Sequence, residues 1–164
     1  MTHHYSFRPL TAADLPLMRT WLAAPHMRRW WGETEPALNE LRQAIEEPST
    51  NPFLILIDGR PAGYIQSYDI HAEPDHPYRD QPSGTVGIDL SLGEADLLGI
   101  GHGPRIIEAF VARLFAAGSP RIVIDPAPDN ERAIRAYEKA HFRVADRRTT
   151  SEYDDALLMV RDNE

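Results

Sequence analysis

The chain contains no cysteine. This absence excludes disulfide bonds, thiolate metal ligands and a cysteine nucleophile. The chain also has no apolar run that approaches the roughly 20 residues that a membrane-spanning helix needs. Its start, Met1-Thr2-His3-His4-Tyr5, has neither the basic end nor the apolar stretch of a signal peptide. We therefore expect a cytoplasmic protein without a membrane partner.

Basic residues are scarce relative to acidic ones. The chain has 17 Lys and Arg against 25 Asp and Glu, which gives a formal net charge of -8. A nucleic acid is therefore not expected as a partner, because binding its backbone requires a clustered basic surface. An acidic surface would attract a small cationic substrate. On charge alone, mild acidity that only maintains solubility is the simpler explanation.

The length and composition are typical of one globular domain. The chain has 164 residues, of which 42% are hydrophobic and 26% charged. This length is sufficient for a single domain with a hydrophobic core. Because the sequence shows no internal repeat and no low-complexity linker, we predict a single domain over residues 1–164.

Apolar periodicity and turn signals predict an α/β (α+β) fold with a mixed central sheet flanked by about four helices. A loop rich in Pro, Asp and His, which we expect to be mobile, is predicted over residues 71–83. The other predicted elements are a strand at 5–9, a helix opened by Thr11 and Asp14, a turn at Ala24-Pro25, a weaker helix at 36–47, hairpin strands at 52–57 and 61–70, a strand at 85–90, a helix from Pro104 to Gly118, a strand at 121–125, a helix from Asp129 or Asn130 to Ala140, and strands at 142–147 and 156–160.

A glycine-bearing loop, Leu98-Gly99-Ile100-Gly101-His102-Gly103-Pro104-Arg105, precedes the clearest amphipathic helix. Glycines let backbone N–H groups approach a ligand closely, and a helix N-terminus favours a phosphate or pyrophosphate. The loop lacks the Gly-Lys-Ser/Thr of a P-loop, and its third glycine is one residue too close for a dinucleotide fingerprint. Glycines at such a turn are as often structural, so the loop alone leaves a ligand open.

The second half of the chain resembles the GNAT superfamily of N-acetyltransferases. In that family a similar glycine loop is followed by Asp-Pro-x-Pro-x-Asn and then by Ala-x-x-x-Tyr-x-Lys-x-Gly-Phe. Two residues depart from the pattern: Leu98 replaces the usual Gln or Arg of the loop, and His141 replaces the usual Gly, at a position that mainly terminates a helix. The matching residues are Asp125-Pro126-Ala127-Pro128-Asp129-Asn130, Ala133, Tyr137, Lys139 and Phe142.

Within the superfamily, the chain is most similar to aminoglycoside 6′-N-acetyltransferases, from Phe7 to about Val160. This resemblance implies acetyl transfer from acetyl-CoA to a primary amine of a small cationic substrate, and thereby antibiotic resistance. Related enzymes that acylate hydroxylysine-type siderophore amines share a Pro-His and Trp pattern and give an alternative. A non-catalytic acyl-CoA sensor is another alternative. The similar segments are Pro25-His26, Trp30-Trp31-Gly32, Gly63-Tyr64-Ile65-Gln66-Ser67-Tyr68, Gly87-Ile88-Asp89 and Ala133-Ile134-Arg135-Ala136-Tyr137-Glu138-Lys139-Ala140.

The resemblance also implies which residues bind the coenzyme. The glycine loop would hold its pyrophosphate, and the strand around Asp89 would face the thioester with a backbone N–H near Leu90. The expected coenzyme-binding residues are Ile88, Leu90, Gly99, Ile100, Gly101, His102, Gly103, Pro104, Arg105, Asn130, Ala133, Tyr137 and Lys139.

Two residues are candidate catalytic groups. Tyr137 is the candidate general acid, because a phenol titrates near about 10 and can protonate a thiolate whose thiol titrates near about 8.5. A core tyrosine on the inward helix face is the alternative. Asp89 lies in an apolar strand, where a carboxylate is costly unless it has a partner. Because a carboxylate is a weak base for an ammonium group, we expect Asp89 mainly to bind and orient the amine.

The expected substrate-binding residues share an aromatic or acidic character: Trp31, Tyr68, Asp80, Asp89 and Asp125. Trp31 would form an apolar or cation–π wall, and Trp30 is favoured for the core. The Arg28-Arg29 and Arg147-Arg148 pairs are expected on solvated faces. No metal is expected, because the histidines lack metal-ligand spacing. The sequence leaves open whether the chain is a monomer or a homodimer.

Overall fold

The structure, a computed structural model, describes residues 2–149 and 155–164. Over these residues the chain forms seven strands and five α-helices, which confirms the predicted α/β class. The elements are β1 (Tyr5–Pro9), α1 (Leu15–Leu22), α2 (Pro25–Trp31), α3 (Thr34–Glu46), β2 (Thr50–Ile57), β3 (Arg60–Asp69), β4 (Val86–Leu92), α4 (His102–Ala116), β5 (Arg121–Ile124), α5 (Glu131–Lys139), β6 (Arg143–Arg148) and β7 (Ala156–Asp162).

The strands form a mixed sheet, as predicted, in the order β1-β2-β3-β4-β5-β7-β6. Strand β1 pairs antiparallel with β2, so that Tyr5 lies opposite Ile57. Strand β4 pairs parallel with β5, with Gly87 opposite Val123. Strand β7 pairs antiparallel with both β5 and β6. A parallel pair requires a long crossover connection, and the segment from β4 to β5 contains α4.

The structure has one more helix than the approximate four that the sequence predicted. Residues Pro25–Trp31 form α2 rather than an irregular segment after a turn. Proline is tolerated at the first helical position, because that residue's N–H has no partner inside a helix. At seven residues α2 is too short for a clear helical period, which explains why the sequence pattern indicated only a turn.

The first compact unit comprises Met1–Ser67 and Leu90–Leu98. The predicted capping box is confirmed, but it caps a 3-10 turn at Ala12–Asp14 that precedes α1: the Thr11 N–H donates to Asp14 Oδ2 at 2.9 Å. Apolar faces of α1, α2 and α3 pack together with side chains of β2 and β3. The buried residues of this core cluster are Leu10, Met18, Trp21, Leu22, Met27, Ala37, Leu38, Leu41, Leu54 and Tyr64.

The second compact unit comprises Tyr68–Asp89 and Gly99–Glu164. Of the apolar stripe that the sequence predicts on α4, Ile106, Ile107, Phe110 and Val111 are buried, whereas Leu114 and Phe115 are half-buried. A further buried cluster combines Ile70 and Tyr78 with side chains of β5 and β7, namely Val123, Leu158 and Val160. Within residues 2–149 and 155–164, no helix combines the length and apolar character needed to cross a membrane.

Candidate active site

The loop before α4 is built around two glycines with left-handed backbone. Gly99 has φ +72° and Gly101 has φ +95°, a conformation that L side chains rarely adopt. Gly101 is the N-cap of α4, a helix of 15 residues. The first N–H groups of a helix have no partner inside it and carry partial positive charge. The loop therefore fits a pyrophosphate held by backbone groups.

Side chains of this loop divide into buried and exposed ones. His102, the first residue of α4, is buried at 6% exposure. A Cβ on Gly103 would lie 3.7 Å from Ala136 Cβ, which shows how closely α4 approaches α5. Ile100 is 64% exposed. Arg105, a cation in the first turn of α4, is also exposed.

Helix α5 holds the candidate acid. Asn130 caps the helix, because its Oδ1 accepts the Ala133 N–H at 3.3 Å. Tyr137 is buried on the inward face at 9% exposure, and Lys139 at the end of α5 is exposed. The helix ends in a Schellman motif: the Phe142 N–H donates to the Tyr137 carbonyl and the His141 N–H to that of Glu138, both at 3.0 Å.

Strand β4 places the candidate amine ligand beside a packed glycine. Ile88 is fully buried, whereas Asp89 and Leu90 are half-buried. A Cβ on Gly87 would lie 2.2 Å from the Tyr68 ring, so the ring lies directly on the strand backbone. The missing side chain at Gly87 thus provides the space for Tyr68 within the second unit.

Asp125, at the end of β5, has a partner that sequence reasoning missed. The Tyr78 hydroxyl donates to Asp125 Oδ2 at 3.0 Å. Tyr78 lies in the segment expected to be a mobile loop, yet its side chain is only 1% exposed. No local periodicity identifies Tyr78 as buried, because the surrounding residues are mostly polar.

Asp80 is paired more tightly than a free substrate ligand would be. Arg148 donates to both Asp80 oxygens at 2.8 Å. These hydrogen bonds hold the pKa of the Asp80 carboxyl below its usual range. The expectation that Arg148 lies on a solvated face was wrong: its side chain is 22% exposed, and it also contacts Asp146 at 2.8 Å.

The tryptophan pair of α2 differs from the sequence expectation. Trp31, rather than Trp30, packs against the core cluster of the first unit. The Trp31 Nε1 donates to Ser91 Oγ, and its ring meets Tyr64 edge-on at 6.0 Å. The Arg29 guanidinium lies 4.7 Å from the Trp30 ring centroid. Trp31 therefore has one ring edge fixed to the core while remaining half-buried.

Two histidines, one in each compact unit, serve as packing or hydrogen-bonding groups. His26 Nε2 lies 3.0 Å from the Leu92 carbonyl oxygen and ties α2 to the end of β4. His76 lies 5.9 Å from Tyr68 and 5.4 Å from Tyr78 between ring centroids. Burial lowers the pKa of His76. In the described part of the chain, no three His, Asp or Glu side chains form a group suited to a metal ion.

Comparisons with known proteins identify what this arrangement is similar to. The family model of the acetyltransferase (GNAT) domain matches residues 11–150. An aminoglycoside N(6′)-acetyltransferase type 1 of Klebsiella pneumoniae is 34% identical over 95% of this chain and 82% of its own. A lysine N-acyltransferase of Mycobacterium tuberculosis is 25% identical over 83% of this chain and 67% of its own.

Solved structures of an aminoglycoside acetyltransferase are also similar to this chain. Aminoglycoside acetyltransferase AAC(6′)-Ib in complex with coenzyme A and kanamycin has a TM-score of 0.87 and 33% identity, covering 97% of this chain and 95% of its own. Its complex with paromomycin and acetyl-CoA also has a TM-score of 0.87, with 32% identity over 96% of this chain and 93% of that chain.

Proposed function

This chain belongs to the GNAT acetyltransferase family, and on that premise we propose that it transfers acetyl from acetyl-CoA to the 6′-amine of an aminoglycoside. The observation that carries the proposal is the 34% identity to an aminoglycoside N(6′)-acetyltransferase along 95% of the chain. Similarity of this extent includes both the residues expected to bind the coenzyme and those expected to bind the acceptor. It therefore supports a shared substrate class as well as a shared fold.

The donor would be held by the loop before α4. The N–H groups of Gly101, His102 and Gly103 would bind the pyrophosphate, and Arg105 would add a charge-assisted contact. The exposed Ile100 would cover an apolar part of the coenzyme. When bound, acetyl-CoA supplies an activated thioester. The backbone of Ile88 and Leu90 would align that group beside the acceptor.

Tyr137 is proposed to hold the proton that the departing thiolate needs. Its side chain is buried, so the phenol is shielded from bulk water. The Schellman motif fixes its backbone carbonyl, and Asn130 fixes the start of the same helix. A phenol that is protonated at neutral pH and rigidly placed is suited to this transfer.

Asp89 is proposed to bind and orient the ammonium group of the acceptor, with Asp125 as a second carboxylate. Within the second unit, Tyr68 would supply an aromatic wall, and the role of Trp31 stays a prediction from the sequence. Asp80 retains a smaller proposed role, because the hydrogen bonds from Arg148 already compensate its charge. The acceptor would thus meet two carboxylates carried on neighbouring parallel strands, β4 and the end of β5.

A thiol-release assay tests the proposal. We expect turnover of acetyl-CoA with an aminoglycoside that carries a 6′-amine, and loss of turnover with a matched compound that carries a hydroxyl there. Equal rates with both compounds would contradict acetylation at the 6′ position. Mass spectrometry of the product, with an increase of one acetyl group, completes the assignment.

A siderophore-pathway acyltransferase is a second candidate, favoured by the likeness to the mycobacterial lysine N-acyltransferase. Turnover with a hydroxylysine-type amine but with no aminoglycoside would select this candidate. Coenzyme binding without any turnover would select the sensor alternative. Because the donor is an intracellular metabolite, we also propose a cytoplasmic location, with the chain acting as a monomer or homodimer.

A further inference from the structure

We propose that Tyr78 is a positioning residue that fixes the Asp125 carboxylate for an ammonium group of the acceptor. This inference rests on the proposed function, because it presumes that Asp125 receives a cationic substrate. Its physical basis is the 3.0 Å hydrogen bond from the Tyr78 hydroxyl to Asp125 Oδ2. The terminal torsion of an aspartate is soft, so the carboxylate needs a rigid donor to keep one orientation.

Tyr78 is held rigidly by the core of the second unit. Its side chain is 1% exposed and packs in the cluster with Ile70, Val123, Leu158 and Val160. Val123 lies two residues before Asp125 on β5. The same packing therefore holds the donor and the strand that carries its acceptor.

The chain on both sides of Tyr78 is tied to the end of β6. Arg148 donates to the Pro77 carbonyl at 2.9 Å and to the Asp80 carboxylate at 2.8 Å. The Arg148 guanidinium also lies 5.6 Å from the centroid of the Tyr78 ring. The backbone N–H of Tyr78 itself donates to His76 Nδ1 at 3.1 Å. These contacts limit rotation of the ring and keep its hydroxyl on Asp125.

The two acidic residues are thereby given different electrostatic roles. Arg148 brings a positive charge to Asp80, whereas Tyr78 brings a neutral donor to Asp125. A neutral donor orients a carboxylate without adding a compensating positive charge. We therefore assign Asp80 to holding the segment around Tyr78, and Asp125 to contacting the substrate.

Steady-state kinetics of Tyr78→Phe test the inference. The substitution keeps the buried ring and removes only the hydroxyl. We expect the acceptor KM to rise about tenfold, the range for losing a hydrogen bond to a charged group. The kcat and the KM for acetyl-CoA should change less than about twofold, since the lost interaction concerns acceptor binding. Tyr5→Phe, which removes a hydroxyl from β1, is the matched control and should leave all constants unchanged.

A double-mutant cycle with Asp125→Asn separates positioning from a general packing role. If Tyr78 acts through Asp125, Tyr78→Phe should have no further effect on the acceptor KM in the Asp125→Asn background. An unchanged acceptor KM in Tyr78→Phe, or a full effect that persists without the Asp125 carboxylate, would overturn the inference.

A second variant covers the case in which Tyr78→Phe lowers the unfolding temperature markedly. Arg148→Lys loses the two-pronged contact with Asp80 but keeps the charge, and we expect a smaller rise of the acceptor KM that also depends on Asp125. An unchanged KM in this variant would then refute the inference. If the wild-type protein itself does not acetylate an aminoglycoside, the proposed function is refuted. That outcome is distinct from a failure of the inference about Tyr78, which concerns only the variants.

Discussion

Individual residues of the site differ in how far their surroundings fix them. Tyr137 is buried and lies at the end of a capped helix, whereas Asp89 is half-buried in a strand. A buried phenol in a fixed position is suited to a single proton transfer. A half-buried carboxylate remains accessible to a ligand that arrives from solvent. The environments therefore agree with the proposed roles of acid and amine ligand.

The acid role predicts a specific loss of turnover in Tyr137→Phe. The change retains the packing of the ring and removes the proton, so kcat should fall by about 10² to 10⁴, the usual contribution of a general acid. The KM for acetyl-CoA should change little. Stopped assays of thiol release check this expectation, and a variant that retains full kcat would show that Tyr137 is only a core residue.

The anchor role of Asp89 predicts a different kinetic pattern. Asp89→Asn keeps the shape of the side chain and removes its charge, so the acceptor KM should rise and kcat should fall by about tenfold or more. An acceptor with fewer amines should be affected less, because it relies less on carboxylates. Steady-state constants equal to those of the wild type would exclude Asp89 from acceptor binding.

For single residues, the sequence identified candidate side chains but not the side chains that they contact. Tyr137, Asp89 and Asp125 could be proposed as site residues because they coincide with family motifs, and their roles stay predictions. The contacts of Tyr78 and Arg148 were not predictable, because their partners are distant in sequence: 47 positions between Tyr78 and Asp125, and 68 between Arg148 and Asp80. Composition and local periodicity carry no information about such long-range contacts. Two adjacent arginines in a sequence therefore do not reveal which of them is exposed and which is half-buried.

Whole elements were easier to predict, because their signals are local. The hairpin of β2 and β3, the stop of α4 near Gly118 and a cap at Asp129 or Asn130 follow from backbone preferences of single residues, and the structure selects Asn130. Helix α2 was missed because it is shorter than the window in which helical periodicity can be recognised. Element boundaries shifted by one or two residues, as at α3, which begins at Thr34 instead of residue 36.

The glycine loop predicts that Gly101→Ala weakens the coenzyme site. A Cβ there meets nothing within 4 Å, so the cost arises from the φ of +95°, about 1 kcal/mol or somewhat more. If the backbone shifts to relieve that cost, its N–H groups leave the pyrophosphate, and the KM for acetyl-CoA should rise about tenfold.

Gly118→Ala, at the other end of α4, is the matched control for this prediction. Gly118 has φ +103° and also meets nothing within 4 Å, so the substitution should cause a similar loss of stability. The KM for acetyl-CoA should nevertheless remain that of the wild type. Equal KM values in the two variants, measured beside their urea unfolding curves, would argue against backbone binding by the loop.

The end of α5 predicts a stabilising substitution. His141 adopts φ +69°, a left-handed conformation that favours glycine. His141→Gly should therefore raise the free energy of unfolding by about 1 kcal/mol. For a chain of this size, that gain corresponds to a rise of about 2–4 °C in the midpoint of thermal unfolding. The buried Phe142 and the hydrogen bond to the Tyr137 carbonyl should hold the motif in place. Differential scanning calorimetry checks the shift, and a lower midpoint would show that the histidine side chain contributes a contact of its own.

For the molecule as a whole, the mixed sheet was predictable and the division into compact units was not. The alternation of strands and helices indicates a sheet covered by helices. The two units each combine distant segments, since Leu90–Leu98 belongs with Met1–Ser67. A boundary of this kind crosses a strand between Asp89 and Leu90 and leaves no mark in composition. The assignment of residues 1–164 to one domain stays a prediction.

Net charge is the property of the whole chain with the clearest kinetic consequence. With 25 acidic and 17 basic side chains, the protein carries a formal charge of -8 and would attract a cationic acceptor over long range. Salt screens this attraction, because the Debye length falls from about 30 Å at 0.01 M to about 3 Å at 1 M. The kcat/KM for an aminoglycoside should therefore fall several-fold as sodium chloride is raised through this range. The anionic acetyl-CoA is the internal control, since screening should not raise its KM in parallel. An acceptor kcat/KM that is independent of salt would mean that the acidity of the chain maintains solubility and does not guide the substrate.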